Sequence, residues 1–372
     1  MRLALTELRR RPGRFALAGT VLTLIAILLI FLGGLLDGLT AGSTGALRAQ
    51  SADLFVFSSN SRDSIVRSRI DPEVRREVEA VDGVARADGL GSVQLGARVP
   101  GKGPRELVPM VLFGYASSPP SFPGPPPPFG QAWADEVLRS DGVRVGSTVR
   151  LGPARTPVEV TGFVDDSRYN GQGTLWGSLA TWRRVQDANR PEARLGPGTV
   201  QVLVVEGADG TEPEALATRI DRASGGATSS LTLDEAIAAL PGVSAQEATF
   251  NQIIGLTVVI AILVVALFFA LITVERIGLY GVLKALGASS TRLFAGVLAQ
   301  AVLITLVASV IAAVAGLALA AVIPEGSVPF QLSAGRLGFS VVFLLVAAVI
   351  GSAFSLRRVL KVDPAIAIGG DR

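Results

Sequence analysis

The chain contains neither histidine nor cysteine. That removes the commonest general base, the Ser-His and Cys-His nucleophile systems, imidazole and thiolate metal sites, and any disulfide framework. Two patterns among the remaining residues still invite chemistry. Gly96-Ala-Arg-Val-Pro-Gly-Lys102 fits the first seven positions of a phosphate-binding loop. Gly103 follows, where a Ser or Thr would hold magnesium, and no strong helix pattern opens after it. An exposed turn explains its Gly, Pro and Lys better. Asp165 and Asp166 are adjacent acids at a strand end without other ligand types, which is the signature of turn residues rather than of a metal site. No catalytic, cofactor or metal site is therefore expected in this chain, and no nucleic-acid partner.

A third pattern carries mechanical rather than covalent chemistry. Between two apolar blocks stands Glu275-Arg-Ile-Gly-Leu-Tyr-Gly-Val-Leu-Lys-Ala-Leu-Gly-Ala-Ser-Ser-Thr-Arg292. Ile277, Tyr280, Leu283 and Leu286 recur at helical spacing, with Lys284 and Arg292 on other faces. Gly287 stops this short amphipathic helix, and Ser289 or Ser290 caps the next. Such an element offers a surface to a partner; the alternative is a passive re-entry turn lying on lipid.

The elements that must position this loop are apolar. Of 372 residues, 49% are hydrophobic and only 17% charged, and the mean hydropathy is +0.49. The apolar residues gather in four uncharged blocks: Phe15 to Leu36, Ile253 to Thr273, Leu293 to Pro324 and Leu337 to Leu356. A block of about 21 residues spans about 31 Å as a helix, matching a hydrocarbon core of about 30 Å. The first is too long for a signal peptide and lacks a convincing cleavage pattern. Basic flanks set the orientation. Arg2, Arg9, Arg10, Arg11 and Arg14 precede the first block; Arg276, Lys284 and Arg292 lie between the second and third; Arg357, Arg358, Lys361 and Arg372 follow the fourth. The loop between the third and fourth holds only Arg336 against Glu325. The positive-inside rule then places both termini in the cytoplasm of a multi-pass protein of the inner or plasma membrane. The third block carries small residues Ala312, Gly316 and Ala320 at four-residue spacing, which would let helices pack closely in lipid. Leu3, Leu5 and Leu8 among the N-terminal arginines suit an amphipathic segment on anionic membrane lipid, with Arg9, Arg10, Arg11 and Arg14 at the surface. Of the 34 basic residues only Lys102, Lys284 and Lys361 are lysine, a codon signature of a GC-rich, bacterial genome.

The expected organisation is a cytoplasmic segment 1–14, span 15–37, outer domain 38–252, span 253–273, cytoplasmic loop 274–292, span 293–323, short outer loop 324–336, span 337–357 and cytoplasmic tail 358–372. The outer domain reads as mixed α/β. Ala52 to Phe57 and Val200 to Val205 are strands; Asp71 to Val81 is a helix with Asp71 capping and Pro72 first. Glu212 to Ala223 is another helix, and Thr232-Leu-Asp-Glu235 is a capping box. Pro119, Pro120, Pro123 and Pro125 to Pro128 form a stiff boundary. Beyond it Ser147 to Leu151 and Val158 to Val164 suggest a β-rich insertion over about residues 129–180.

The loop from Glu275 to Arg292 resembles the signature loop of the FtsX-like, or MacB-like, ABC transporter permeases. Their pattern is an acid, a Gly, then Leu and a basic residue, then Ala-x-Gly-Ala. Here those are Glu275, Gly278, Leu283, Lys284, Ala285, Gly287 and Ala288. Val362-Asp-Pro-Ala-Ile366 resembles the family's tail. The layout is similar too: four transmembrane α-helices with a large α/β extracytoplasmic domain, a porter-like unit with an inserted β-rich subdomain, between spans 1 and 2. The resemblance covers the whole chain in layout and is specific mainly in the C-terminal third. It implies a four-span, type VII mechanotransmission permease and no ATPase of its own. ATP and magnesium would sit in a separate ABC ATPase, present in two copies. A second permease chain, identical or paralogous, would complete the unit. Residues Ile277 to Ala288 would be the coupling helix. The outer domain would meet an adaptor, a substrate or a hydrolase. Two functions follow: export or extraction of a lipid, lipoprotein, peptide or drug, or regulation of a cell-wall hydrolase or peptide sensing. A membrane-anchored binding module without an ATPase is the third.

Overall fold

The computed structural model describes residues 12–50, 52–103, 105–117, 119, 121–275, 282, 289–323 and 328–360. The chain divides into a helical unit, residues 1–38 with 247–372, and a sheet unit, residues 39–246.

The helical unit holds the apolar blocks. Helix α1 spans Pro12–Arg48, and two short elements, β1 (Leu54–Ser58) and α2 (Pro72–Glu79), follow it in the chain. Four helices are long and apolar enough to cross a membrane: Ala16–Arg48, Val243–Ile272, Ala295–Val322 and Ala334–Ala353. Two of them outrun their apolar blocks by about ten residues or more. Helix α1 continues past Leu36, and the second long helix starts at Val243, ahead of Ile253. Apolar length reports the hydrocarbon thickness, whereas the helix ends where its backbone loses partners. Large side chains such as Leu256, Leu263 and Leu267 stay exposed, as lipid-facing positions must. Ala26, Ala261, Ala301, Ala308, Ala312, Ala347 and Ala348 are buried, so the helices meet through small residues.

The sheet unit is built on one long strand. In chain order the strands after β1 are β2 (Val84–Arg98), β3 (Val108–Tyr115), β4 (Gln131–Asp135), β5 (Thr148–Leu151), β6 (Thr156–Val164), β7 (Gly173–Ser178), β8 (Val202–Gly207) and β9 (Thr228–Thr232). The helices are α3 (Leu179–Asn189), α4 (Pro213–Ala223) and α5 (Leu233–Ala238), before the long helices α6 (Val243–Glu275), α7 (Ser290–Val322) and α8 (Ala334–Leu360). The first half of β2 pairs with β8, continuing to β1 and β9; its second half pairs with β3. Strands β2, β3, β7, β4, β6 and β5 close into a six-stranded ring, because the last pairs back to β2. The β-rich insertion is thus incomplete by itself: two of the ring's strands come from before the proline run. Where β8 leaves β2 and β5 has not yet arrived, side chains take over. The Ser92 amide donates to Gln201 Oε1 at 2.5 Å and Arg190 donates to the Gln94 carbonyl at 3.3 Å.

Alternation along β3 shows how one strand serves two cores. Val108, Met110 and Leu112 face the ring interior with Val93, Val149, Val158 and Val160. Val111, Phe113 and Tyr115 face the other way, into an aromatic cluster where Phe113 stacks on Trp176 at 4.5 Å. Helices α2 and α4 cover a third cluster through Val78, Leu216 and Ile220. The predicted capping box is present: Thr232 and Glu235 bond each other's backbone. The predicted cap at Asp71 is not. Its carboxylate accepts from Thr199 Oγ1 at 2.7 Å instead, tying α2 to the approach of β8.

Strands β2 and β3 escape notice in the sequence because glycines interrupt them. Gly91 and Gly114 lie side by side in the ladder, and a Cβ on either would strike the Trp182 side chain of α3. Trp182 is wholly buried there. Replacing Gly114 by Ala is expected to destabilise the sheet unit by about 1–3 kcal/mol, the usual cost of overpacking. Denaturant unfolding of the full chain in detergent, followed by tryptophan emission, checks it.

Candidate functional site

The sequence-predicted coupling segment falls at the edge of the described residues. Glu275 ends α6 and is exposed. Ile277, Gly278, Tyr280, Leu283, Lys284, Ala285, Leu286, Gly287 and Ala288 lie outside the described residues, as do Arg9, Arg10 and Arg11. Arg14 is in the first turn of α1. Of the small residues on α7, Ala312 is fully buried and Gly316 is buried, where a Cβ would come within 2.9 Å of Ile30. Ala320 is exposed near the helix end.

What the structure adds is a set of close backbone approaches to α1. In the helical unit, Gly33, Gly34 and Gly38 leave room for the chain that enters α8. A Cβ at Gly33 would lie 2.6 Å from Arg336 Cδ, one at Gly34 2.5 Å from the Phe330 ring, and one at Gly38 would strike the Pro329 carbonyl. The Gln331 amide donates to the Gly34 carbonyl at 2.9 Å, and Phe31 stacks on Phe330. Asp37 then meets the start of α8. Arg336 donates Nε and Nη2 to Asp37 Oδ1, the first at 3.0 Å, and Ser333 Oγ donates to Oδ2 at 3.3 Å. Ser333 also accepts the Arg336 amide at 3.1 Å, capping α8. Arg336, read in the sequence as an isolated loop charge, is therefore a first-turn helix residue paired across to α1. An acid at the N-terminus of a helix is also favoured by the helix dipole.

In the sheet unit, the last turns of α1 are gripped by the segment that joins β6 to β7. Ala46 donates its amide to the Arg168 carbonyl at 2.9 Å, while Gly171 and Asn170 donate to the carbonyls of Gly42 and Ser43 at 3.0 and 3.2 Å. A Cβ at Gly45 would lie 2.6 Å from the Asp166 carbonyl. Arg48 pairs with Asp166 at 2.9 Å. Asp166 itself has φ 47, as suits a turn residue. Asp135 holds this segment from below. Nearly buried at the end of β4, it accepts the Ser167 amide at 2.9 Å and hydroxyl at 2.7 Å, and the Val137 amide at 3.0 Å. Thr174 links Ser167 to Trp176 Nε1. Burial pushes the Asp135 carboxyl above its ordinary value, against the hydrogen bonds of Ser167 and Val137 and the charge of Arg168.

The phosphate-loop-like segment is a turn. Gly96 and Arg98 lie in β2, Gly101 has φ 88, and Lys102 Nζ is spent on Asp141 at 2.8 Å and Glu106 at 3.2 Å.

Residues 251–364, which take in most of α6 and all of α7 and α8, match the family model described as FtsX-like permease C-terminal. These residues form an FtsX-like permease domain. The likeness to transporter permeases extends over the whole chain. It is 23% identical over 379 residues to a protein named putative hemin transport system permease protein HrtB of Staphylococcus haemolyticus, covering 100% of this chain and 99% of that one. It is 27% identical over 378 residues to an uncharacterized ABC transporter permease of Mycobacterium tuberculosis, covering 99% of each. Among solved structures it is similar to the periplasmic region of MacB from Actinobacillus actinomycetemcomitans, with TM-score 0.35 and 12% identity over 51% of this chain and 92% of that one. It is also similar to the extracellular domain of the noncanonic ABC-type transporter YknZ from Gram-positive bacteria, with TM-score 0.33 and 13% identity over 49% of this chain and 99% of that one. With four helices long and apolar enough to cross a membrane, the chain is a multi-pass membrane protein similar over its whole length to ABC transporter permeases, a likeness that implies an ATPase partner.

Two outcomes test the grip on α1. Gly45→Val should cost about 1–3 kcal/mol, since its side chain displaces the Asp166 backbone, with unfolding again read by denaturant. Asp135 sets a pH dependence of known sign. Its folded carboxyl titrates above the unfolded one, so the folded state is favoured by protonation and loses that advantage as pH rises through the folded value. The stability lost in Asp135→Asn should therefore shrink from acid to neutral pH; a loss that grows instead contradicts the assignment.

Proposed function

We propose that this chain is the membrane-spanning subunit of an ABC exporter in which a separate ATPase works on residues 274–292 and α1 carries the movement outward. The observation that supports it most is the match of residues 251–364 to the FtsX-like permease domain, within a chain that covers ABC permeases end to end. Glu275, Ile277, Gly278, Tyr280, Leu283, Lys284, Ala285, Leu286, Gly287 and Ala288 would seat on the ATPase. Two ATPase chains, holding ATP and magnesium, and a second permease chain would complete the unit, with both termini cytoplasmic.

The backbone grip on Gly42 to Arg48 gives the movement a place to act in the sheet unit, and the clamp at Gly33 to Asp37 gives it one in the helical unit. A loop bonded to a helix's own carbonyls and amides must follow that helix or break those bonds. The four apolar blocks contain no charge, so an ion path through them has little support. The full-length likeness to proteins named putative hemin transport permeases favours an amphiphilic cargo among lipids, lipoproteins, peptides and drugs.

Purification from native membranes in mild detergent should bring down an ABC ATPase in equal amount. Gly287→Pro, or Leu283→Asp with Leu286→Asp, should leave insertion intact and reduce export to background. Normal export by these variants would overturn the coupling assignment. An outer hydrolase in place of a cargo would move the function from export to regulation.

A further inference from the structure

The paired charges at α1 and α8 stand at the limit of the hydrocarbon. Asp37 directly follows Leu36, the last residue of the first apolar block, and Arg336 directly precedes Leu337, the first of the fourth. Lipid phosphates lie at that depth. Beside the pair is a shallow, open groove among α1, α6 and α8, lined by Leu29, Ile254, Val258, Phe339, Phe343 and the stem of Arg336. The groove is apolar; the hydroxyl of Ser340 on its wall is spent on the Arg336 carbonyl at 2.9 Å. Phe339 is 56% exposed and packs only edge-on against Phe343, with ring centroids 4.4 Å apart.

The guanidinium at the end of this groove is fixed in place. Gly33 makes room for its stem, and Asp37 takes Nε and Nη2 on a single oxygen. Nη1 makes no hydrogen bond among the described residues, and the side chain keeps 22% of its surface exposed. A planar fork held by one edge presents its other edge to an oxyanion, and phosphate suits that geometry.

We infer that this groove holds one membrane phospholipid, with its phosphate on Arg336 and an acyl chain along Leu29, Ile254, Val258 and Phe339. The Asp37–Arg336 pair is neutral, which suits a zwitterionic headgroup: the phosphodiester on the guanidinium and the amine toward the carboxylate. The inference depends on these helices lying in a bilayer and not on the coupling proposed above.

The test is native mass spectrometry of the full chain, delipidated in detergent and then given dioleoyl phosphatidylethanolamine. One lipid per chain should survive activation that strips the others. Arg336→Gln should lower that occupancy about tenfold or more, the loss expected for a charge-assisted phosphate contact. Dioleoylglycerol, with the same chains and no phosphate, should not be retained. Phe339→Ala, which leaves the Asp37–Arg336 pair untouched, should also lose the lipid, so a clamp weakened by Arg336→Gln is distinguished from a lost contact. Inorganic phosphate in excess should not displace it. Equal retention in Arg336→Gln or in Phe339→Ala, equal retention of dioleoylglycerol, or displacement by inorganic phosphate would each overturn the inference.

Discussion

Helix α1 is approached by backbone, not only by side chains, and much of the architecture follows from that. A main-chain segment comes closest to a helix where the helix has no Cβ. Gly34 and Gly38 admit Pro329 and Phe330 in the helical unit, and Gly45 admits the Asp166 backbone in the sheet unit. Hydrogen bonds to helix carbonyls then become available, at Gly34 from Gln331 and at Gly42 from Gly171. Bonds of this kind hold a loop in one register, because shifting it by a residue leaves buried donors without acceptors. Side-chain packing alone tolerates such slips far better.

The same economy of small residues organises the sheet unit. Gly91 and Gly114 let Trp182 lie flat on the β2–β3 ladder, so α3 closes one side of the ring. The ring interior is otherwise filled by aliphatic side chains of modest size, with Val149, Val158 and Val160 fully buried. A hydrogen-bonded polar network lies between this core and the aromatic cluster of Trp176. Asp135, Ser167, Thr174 and Trp176 bond one another in sequence, and the network ends on the segment that grips α1. A buried carboxylate is costly. Here its hydrogen bonds hold the β6–β7 segment against the strand that carries it, at the point where that segment meets the helix.

The elements legible from the amino-acid sequence are those whose signals are local. Uncharged apolar runs mark the four long helices. The Thr232–Glu235 box marks α5, and the alternation from Val158 to Val164 marks β6. The long strand β2 is illegible because Gly89, Gly91 and Gly96 interrupt its alternation; two of them serve close packing by Val200 and Trp182, residues more than 85 positions away. Asp71 misled in the opposite sense. Its position is that of a cap, but Thr199 competes for its carboxylate and wins. Ring closure was illegible too, since pairing of β5 with β2 spans about 50 residues and leaves no local trace.

Asp37 and Arg336 show the same limit at the membrane edge. In sequence each is a lone charge flanking an apolar block, and 299 positions separate them. Their meaning depends on α8 starting level with the end of the first apolar block on α1, which only the packed helices establish. A charge at a span end ordinarily reaches for water. Gly33 changes that outcome: with no side chain there, the Arg336 stem lies on α1 and its guanidinium meets the carboxylate one turn above. The pair then fixes where α8 begins relative to α1, through the Ser333 cap that shares the same carboxylate. A charge placed for topology and a charge placed for packing look alike in the sequence; the glycine opposite is what separates them.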